Sequence, residues 1–183
     1  MKKEIIILID CGDTIVDEST QVFNENGDVL SAQEISGACE ALRQLHGEGY
    51  RIALVADGRT ASFHNILGKL DLLPLFEAMV ISEEEQVQKP HKGMFAAAFE
   101  RLGLTAKDAP RVVMVGNNIM RDVAGANLFG ITSILLSFSP RYRMQPKSIE
   151  ETPDYVIAMP DELPGLIAHL EKQLDNRKIL AAE

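Results

Sequence analysis

The chain has 183 residues, enough for one domain with a real hydrophobic core, and 46% of them are apolar, as in ordinary globular proteins. Its net charge of −9 excludes a general nucleic-acid binder, which would carry a basic face, and its two cysteines, Cys11 and Cys39, exclude a disulfide scaffold. The apolar run near the N-terminus is too short for a signal peptide and no segment is long enough to span a bilayer, so the expectation is a cytoplasmic protein, residues 1–183 forming one domain, with neither membrane nor nucleic acid among its ligands.

In chain order, Ile5 to Ile9 is a β-branched apolar run that stops at Asp10-Cys11-Gly12, as a buried parallel strand and its exit turn do. A polar stretch from Asp17 to Gln21 follows. Residues 22–30 read as a small hairpin flap turning at Asn26-Gly27. Ser31 or Ser36 caps a helix that runs to about Gly47, with Ala38, Ala41, Leu42 and Leu45 on one face. Arg51 to Ala56 is a second apolar strand, closed by Asp57-Gly58, and Ala61 to Leu70 is a helix. A short strand lies near Ala78 to Ile81, and Met94 to Leu102 is a helix whose Phe95 and Phe99 face either the core or a second subunit. Val112 to Val115 and Ile131 to Leu136 are strands flanking a helix over Asp122 to Leu128. Ser137 to Pro153 is a loop, Tyr155 to Ala158 a short last strand, and Asp161 to Leu174 a closing helix, with a frayed tail over 175–183. Strands alternating with helices imply a Rossmann-like α/β three-layer sandwich, with a central parallel sheet of about five strands.

Unusual polar residues gather at the strand ends. They are Asp10-Cys11-Gly12-Asp13-Thr14, Ala56-Asp57-Gly58-Arg59, Lys89-Pro90 and Gly116-Asn117-Asn118-Ile119-Met120-Arg121-Asp122. In a parallel sheet these ends converge on one edge, where open α/β sheets bind ligands. Taken alone, Asp10 either caps its turn or is a reactive carboxylate, and Lys89 is either a reactive cation or a solvated side chain before a helix. An Asp, a Lys and a second carboxylate around one point suit phosphoryl transfer.

The order and spacing of these four motifs resemble the haloacid dehalogenase-like (HAD) superfamily across nearly the whole chain. That family's motifs run Asp-x-Asp-x-Thr after a strand, a Ser or Thr ending the next strand, a Lys often followed by Pro, and Gly-Asp-x-x-x-x-Asp. The resemblance implies Asp10 as nucleophile, Lys89 as the cation holding Asp10 and the phosphate, and Mg²⁺ bound by Asp10, the Gly12 carbonyl, Asn117 and Asp122. It implies a phosphate site around Ala56, Asp57 and Lys89. It also implies a capless enzyme, so the substrate is either bulky or covered by a second subunit.

Three positions depart from the pattern. Gly12 replaces the general acid/base Asp, a group worth ~10²–10⁴-fold in rate. Asp13, next to it, is either a substitute acid/base or a turn residue facing away. Ala56 replaces the hydroxyl of the second motif, with Asp57 beside it set to repel a phosphate if it points inward. Asn117 replaces a carboxylate by a neutral oxygen ligand, or is a helix cap together with Asn118. Arg141 and Arg143, in the 137–153 loop, reach the substrate edge or are simply solvated. The expectation is a Mg²⁺-dependent phosphatase acting on a phosphorylated small molecule or macromolecule, alone or as a homo-oligomer. The alternatives are a catalytically weak phosphate-binding or regulatory protein, and ester chemistry at Asp10 on another bond, carbon–halogen or acyl phosphate.

Overall fold

The computed structural model describes residues 3–139 and 141–182, with side chains described through Arg177. Apolar, β-branched segments form a six-stranded parallel sheet. Its strands are β1 (Ile6–Ile9), β4 (Arg51–Ala56), β5 (Ala78–Ile81), β6 (Val112–Gly116), β7 (Thr132–Leu136) and β8 (Tyr155–Ile157), in the order β5-β4-β1-β6-β7-β8. Every pairing among them is parallel. The short Tyr155–Ile157 segment pairs with β7 as a full edge strand, which makes six rather than about five.

The central strands are buried on both faces, and the two-residue period of a strand sorts their side chains. Ile7 and Ile9 of β1, with Leu54 and Val115, pack under α1 (Ala38–Gly47), α2 (Thr60–Lys69) and α6 (Leu163–Ala182). Ile6 and Leu8, with Val55 and Met114, pack under α4 (Lys92–Arg101) and α5 (Ala124–Phe129). One-turn α3 (Ser82–Glu85) completes the helices. Phe95 is fully buried and stacks on Phe129 at 5.6 Å between ring centroids, so the aromatic segment of α4 belongs to the core.

The hairpin is longer than its hydrophobic pattern suggests. It comprises β2 (Val16–Phe23) and β3 (Val29–Glu34), paired antiparallel outside the main sheet. The polar stretch Asp17 to Gln21 is therefore strand; most of β2 is half-exposed or exposed, so no apolar alternation marks it. The turn spans Asn24 to Asp28 rather than two residues, with Asn24 Oδ1 accepting the N–H groups of Asn26 and Asp28, each at 2.9 Å. Ser31 lies in β3, and α1 starts after Gly37 without a side-chain cap, so neither Ser31 nor Ser36 caps it. Gly37 adopts φ +84 there, a backbone that favours glycine over a serine-type cap. The closing helix continues through Ala182, across most of the tail expected to fray; Glu183 and the side chains after Arg177 lie outside the described residues.

Strand order reverses direction at β1, with β4 on one side and β6 on the other. This is a topological switch point, where the C-terminal ends of open α/β sheets leave a crevice. Asp10 leaves β1 into that crevice, its N–H donating to Val115 O at 2.9 Å.

Candidate active site

A cleft of about 270 Å³ opens at this edge. Its floor includes Asp10, Gly12, Asp57, Lys89, Asn117 and Asp122, and the hairpin walls it with Glu18, Gln21, Phe23 and Val29. The hairpin is tied down by α2, because Val29 N–H donates to Ser62 Oγ at 2.9 Å and Arg59 meets Asp28 at 3.1 Å.

Lys89 is the centre of the floor. Its side chain is 2% exposed; the ammonium donates to Asp10 Oδ1 at 2.8 Å and Val55 O at 2.7 Å, and its charge lies 2.7 Å from Asp122 Oδ1. Burial alone would lower the lysine pKa, but Asp10, Asp122 and Asp57 outweigh it and hold Lys89 charged. Burial raises the Asp122 carboxyl, against the pull of Lys89 and with the help of Asp10.

The loop after β6 builds the Asp122 side of the site. Asn118 caps a single π-helical turn, Ile119–Val123, by accepting the Met120 N–H at 3.0 Å. That turn swings Asp122 under β6, where its Oδ2 accepts the Asn118 N–H at 3.0 Å. Gly116 makes room, since a Cβ there would lie 2.3 Å from Asp122 Cγ. Asn118 is thus the cap of the pair, and Asn117 is not. The Asn117 amide is buried and its Nδ2 has no partner among the described residues.

The remaining positions divide. Asp57 lines the cleft, but its carboxylate is held: Oδ1 accepts the Lys89 N–H at 3.0 Å, and Oδ2 faces Arg121 at 3.3 Å. Ala56 is buried at the end of β4 and does not reach the cleft. Asp13 is 1% exposed and turns away from the cleft. It sits at φ +49, a left-handed conformation that Asp tolerates, and its carboxylate binds the Arg141 guanidinium, Ser139 Oγ at 3.2 Å and the Glu18 N–H at 3.0 Å. With its oxygens committed behind the loop, Asp13 is not positioned as the substitute acid/base. Arg141 likewise points back to Asp13 and Glu18 rather than into the cleft. Arg143 pairs with Glu151 at 2.8 Å and closes its own loop, away from the cleft. Glu18 and Tyr142 line the cleft without any motif to mark them, and Arg121 lines it from within the fourth motif, at a position given no role there. Glu18 lies in the polar stretch ahead of the expected 22–30 flap, so nothing in the sequence pointed to it.

The donor set suits a hard divalent cation. Asp10, Asp122, the Asn117 amide and the Gly12 carbonyl all offer oxygen, and Asp122 Oδ1 meets only the Lys89 charge, without a well-aligned hydrogen bond. Among the described residues no three His, Cys, Asp or Glu side chains form a metal cage, so a cation here would rest partly on the amide and the carbonyl. The cleft also carries the four carboxylates of Asp10, Glu18, Asp57 and Asp122 against the three cations Arg59, Lys89 and Arg121, an excess that a divalent ion would reverse before an anion enters.

Comparison with known proteins places this architecture. Residues 8–130 match the model of a haloacid dehalogenase-like hydrolase. The chain is 31% identical over 131 residues to a glyceraldehyde 3-phosphate phosphatase of Methanopyrus kandleri, covering 72% of this chain and 55% of that protein. It is 33% identical over 135 residues to a phosphoglycolate phosphatase of Cereibacter sphaeroides, covering 73% of this chain and 57% of that protein. The chain thus spans a little over half the length of these relatives. Among solved structures, a HAD-hydrolase of Bacillus subtilis bound to magnesium superposes with a TM-score of 0.72 at 18% identity, covering 91% of this chain and 99% of that one. No helix among the described residues is long and apolar enough to cross a membrane. On the family-model match and the identity to these relatives, the chain belongs to the haloacid dehalogenase-like hydrolase family.

Proposed function

We propose that the chain is a Mg²⁺-dependent phosphatase that hydrolyses a phosphorylated small molecule through an aspartyl-phosphate on Asp10. The observation that carries this reading is the Lys89 ammonium held between Asp10 and Asp122 at the switch point of the sheet. Asp10 attacks phosphorus with the oxygen that does not face Lys89. Lys89 orients the Asp10 carboxylate and offsets charge on the phosphoryl group as it transfers. Asp122 holds Lys89 in place, and Asp57 anchors the backbone of Lys89.

Mg²⁺ would be held by Asp10, the Gly12 carbonyl, Asn117 and Asp122, and when bound it supplies neutralisation of the phosphate charge. The neutral Asn117 makes this a weaker site than one with a third carboxylate. Arg121, which already screens Asp57, supplies the anion-binding charge that Ala56 cannot provide. The cleft volume and the apolar wall of Phe23, Val29, Phe63 and Ile66 suit a short-chain phosphate ester, in keeping with the small phosphorylated compounds named for the relatives.

The test is hydrolysis of p-nitrophenyl phosphate and acetyl phosphate over a Mg²⁺ titration, comparing the native chain with Asp10→Asn. Expected is turnover that saturates at high Mg²⁺ and falls about 10³-fold or more in Asp10→Asn. Absence of turnover in the folded native chain overturns the phosphatase reading in favour of a phosphate-binding protein.

A further inference from the structure

We propose that Glu18, on hairpin strand β2, supplies the acid–base carboxylate of this site in place of a side chain at Gly12. The inference rests on the phosphatase reading above and deepens it.

Two observations carry it. The backbone at Gly12 does not require glycine, since its φ lies outside the left-handed region. What excludes a side chain there is Glu18 itself. A Cβ on residue 12 would lie 1.9 Å from Glu18 Oε1, 2.8 Å from its Cδ and 3.0 Å from its Cγ, and these are its three nearest neighbours. The carboxyl head of Glu18 therefore occupies the volume into which an acidic side chain at position 12 would project. Like Asp10, it faces the cleft.

The head is also held in orientation. Glu18 Oε2 lies 3.5 Å from Arg141 Nε, and the Glu18 N–H donates to Asp13 Oδ1 at 3.0 Å. Asp13 in turn grips Arg141 and Ser139. Oε1, the atom crowding Gly12, accepts no hydrogen bond from any described residue. A surface ion pair with Arg141 would account for Oε2 alone. It gives no reason for the other oxygen to lie against the nucleophile loop where a side chain has been removed. Asp13 and Arg141 are positioning residues in this scheme.

The proton and bond inventory closes. In the first half-reaction an Asp10 oxygen bonds to phosphorus, the bond from phosphorus to the leaving oxygen breaks, and the Glu18 carboxyl gives its proton to that oxygen, releasing the alcohol. In the second, the Glu18 carboxylate takes a proton from water as the water oxygen bonds to phosphorus. The bond between phosphorus and Asp10 breaks, releasing inorganic phosphate and restoring both carboxyl groups to their starting states.

The experiment compares kcat/KM on p-nitrophenyl phosphate and phenyl phosphate, whose leaving groups differ in their need for a proton, with folding checked by circular dichroism. Expected is a loss of about 10²-fold for Glu18→Gln on phenyl phosphate and a much smaller loss on p-nitrophenyl phosphate. In the Glu18→Ala background, adding Gly12→Asp should recover tenfold or more on phenyl phosphate, whereas Gly12→Asp with Glu18 present should not improve on the native chain. A structural role for Glu18 would lower both substrates equally and show no recovery, which overturns the inference while Asp10-dependent turnover stands. If the native chain shows no Asp10-dependent turnover, the phosphatase reading fails and this inference fails with it.

Discussion

Lys89 and Arg141 each sit between two carboxylates, and the two clusters flank the same aspartate loop. Lys89 lies between Asp10 and Asp122, its side chain 2% exposed; Arg141 lies between Asp13 and Glu18, its side chain 37% exposed. The inner cluster is built by strands β1 and β6 and the segment leading into α4, so its members are fixed by the sheet. The outer cluster is built by the aspartate loop, the hairpin and the loop after β7, and water reaches it. The same charge pattern thus has different consequences. A buried pair that loses its cation strands charge in a low-dielectric interior, whereas an exposed pair is screened.

Lys89→Ala tests the inner half of the comparison and should produce its largest effect on stability. Removing the ammonium leaves Asp10 and Asp122 facing each other without a counter-charge, and strands the Val55 carbonyl as well. Breaking a buried pair in this way costs roughly 3–5 kcal/mol. Urea denaturation should therefore show a large fall in midpoint at neutral pH, partly recovered on acidification as Asp122, raised by burial, takes up a proton. A midpoint within error of the native chain would mean that water enters the floor of the cleft and that the inner cluster is as screened as the outer one.

Arg141→Ala tests the outer half. Asp13 keeps the Glu18 N–H and the Ser139 hydroxyl, so the loss in stability should be smaller, about 1–2 kcal/mol. The sharper readout is kinetic. If Arg141 holds Glu18 toward Gly12, its loss should lower kcat/KM on phenyl phosphate several-fold, less than Glu18→Gln does, and leave KM nearly unchanged. A rise in KM with kcat intact would instead place Arg141 in contact with substrate, and the two clusters would no longer divide into chemistry and support.

The same contrast explains what could be read from the chain. Asp10 and Asn117 directly follow buried strands, and an apolar run that stops at a polar residue is visible in a linear sequence; Lys89, between α3 and α4, and Asp122, inside a π-helical turn, are reached only through the resemblance of the motifs. The outer residues carry no such mark. Glu18 sits in a strand half-exposed on both faces, which reads as polar coil, and its carboxyl reaches Gly12 only because the chain reverses tightly at Cys11, whose carbonyl accepts the N–H groups of both Ile15 and Val16. Asp13 and Arg141 are 128 residues apart, and no periodicity relates them. Proximity in sequence left Asp13 open between a substitute acid and a turn residue facing away, and its left-handed backbone turns the carboxylate behind the loop, which is the second reading. The helix α1 start was misread because a glycine conformation, not a serine hydroxyl, ends the preceding segment.

The smallest expected effect belongs to Arg143→Ala, and it sets the outer limit of the site. Arg143 was a candidate for the substrate edge because it shares a basic loop with Arg141. Its guanidinium instead forms a two-point pair with Glu151 at 2.8 and 2.9 Å, and Glu151 also accepts the Lys147 N–H at 2.6 Å. The pair draws the carboxyl of Glu151 down to about 2 through the Arg143 hydrogen bonds, so it persists across neutral pH. Half-buried pairs that stay in reach of water contribute little to folding, because water and salt screen them. Removing Arg143 should leave the urea midpoint and kcat/KM on phenyl phosphate both within error of the native chain, with Glu151 still held by the Lys147 N–H. A drop in kcat/KM without a change in midpoint would mean that the 137–153 loop folds onto the bound substrate, extending the functional region past Arg141 to the far side of that loop.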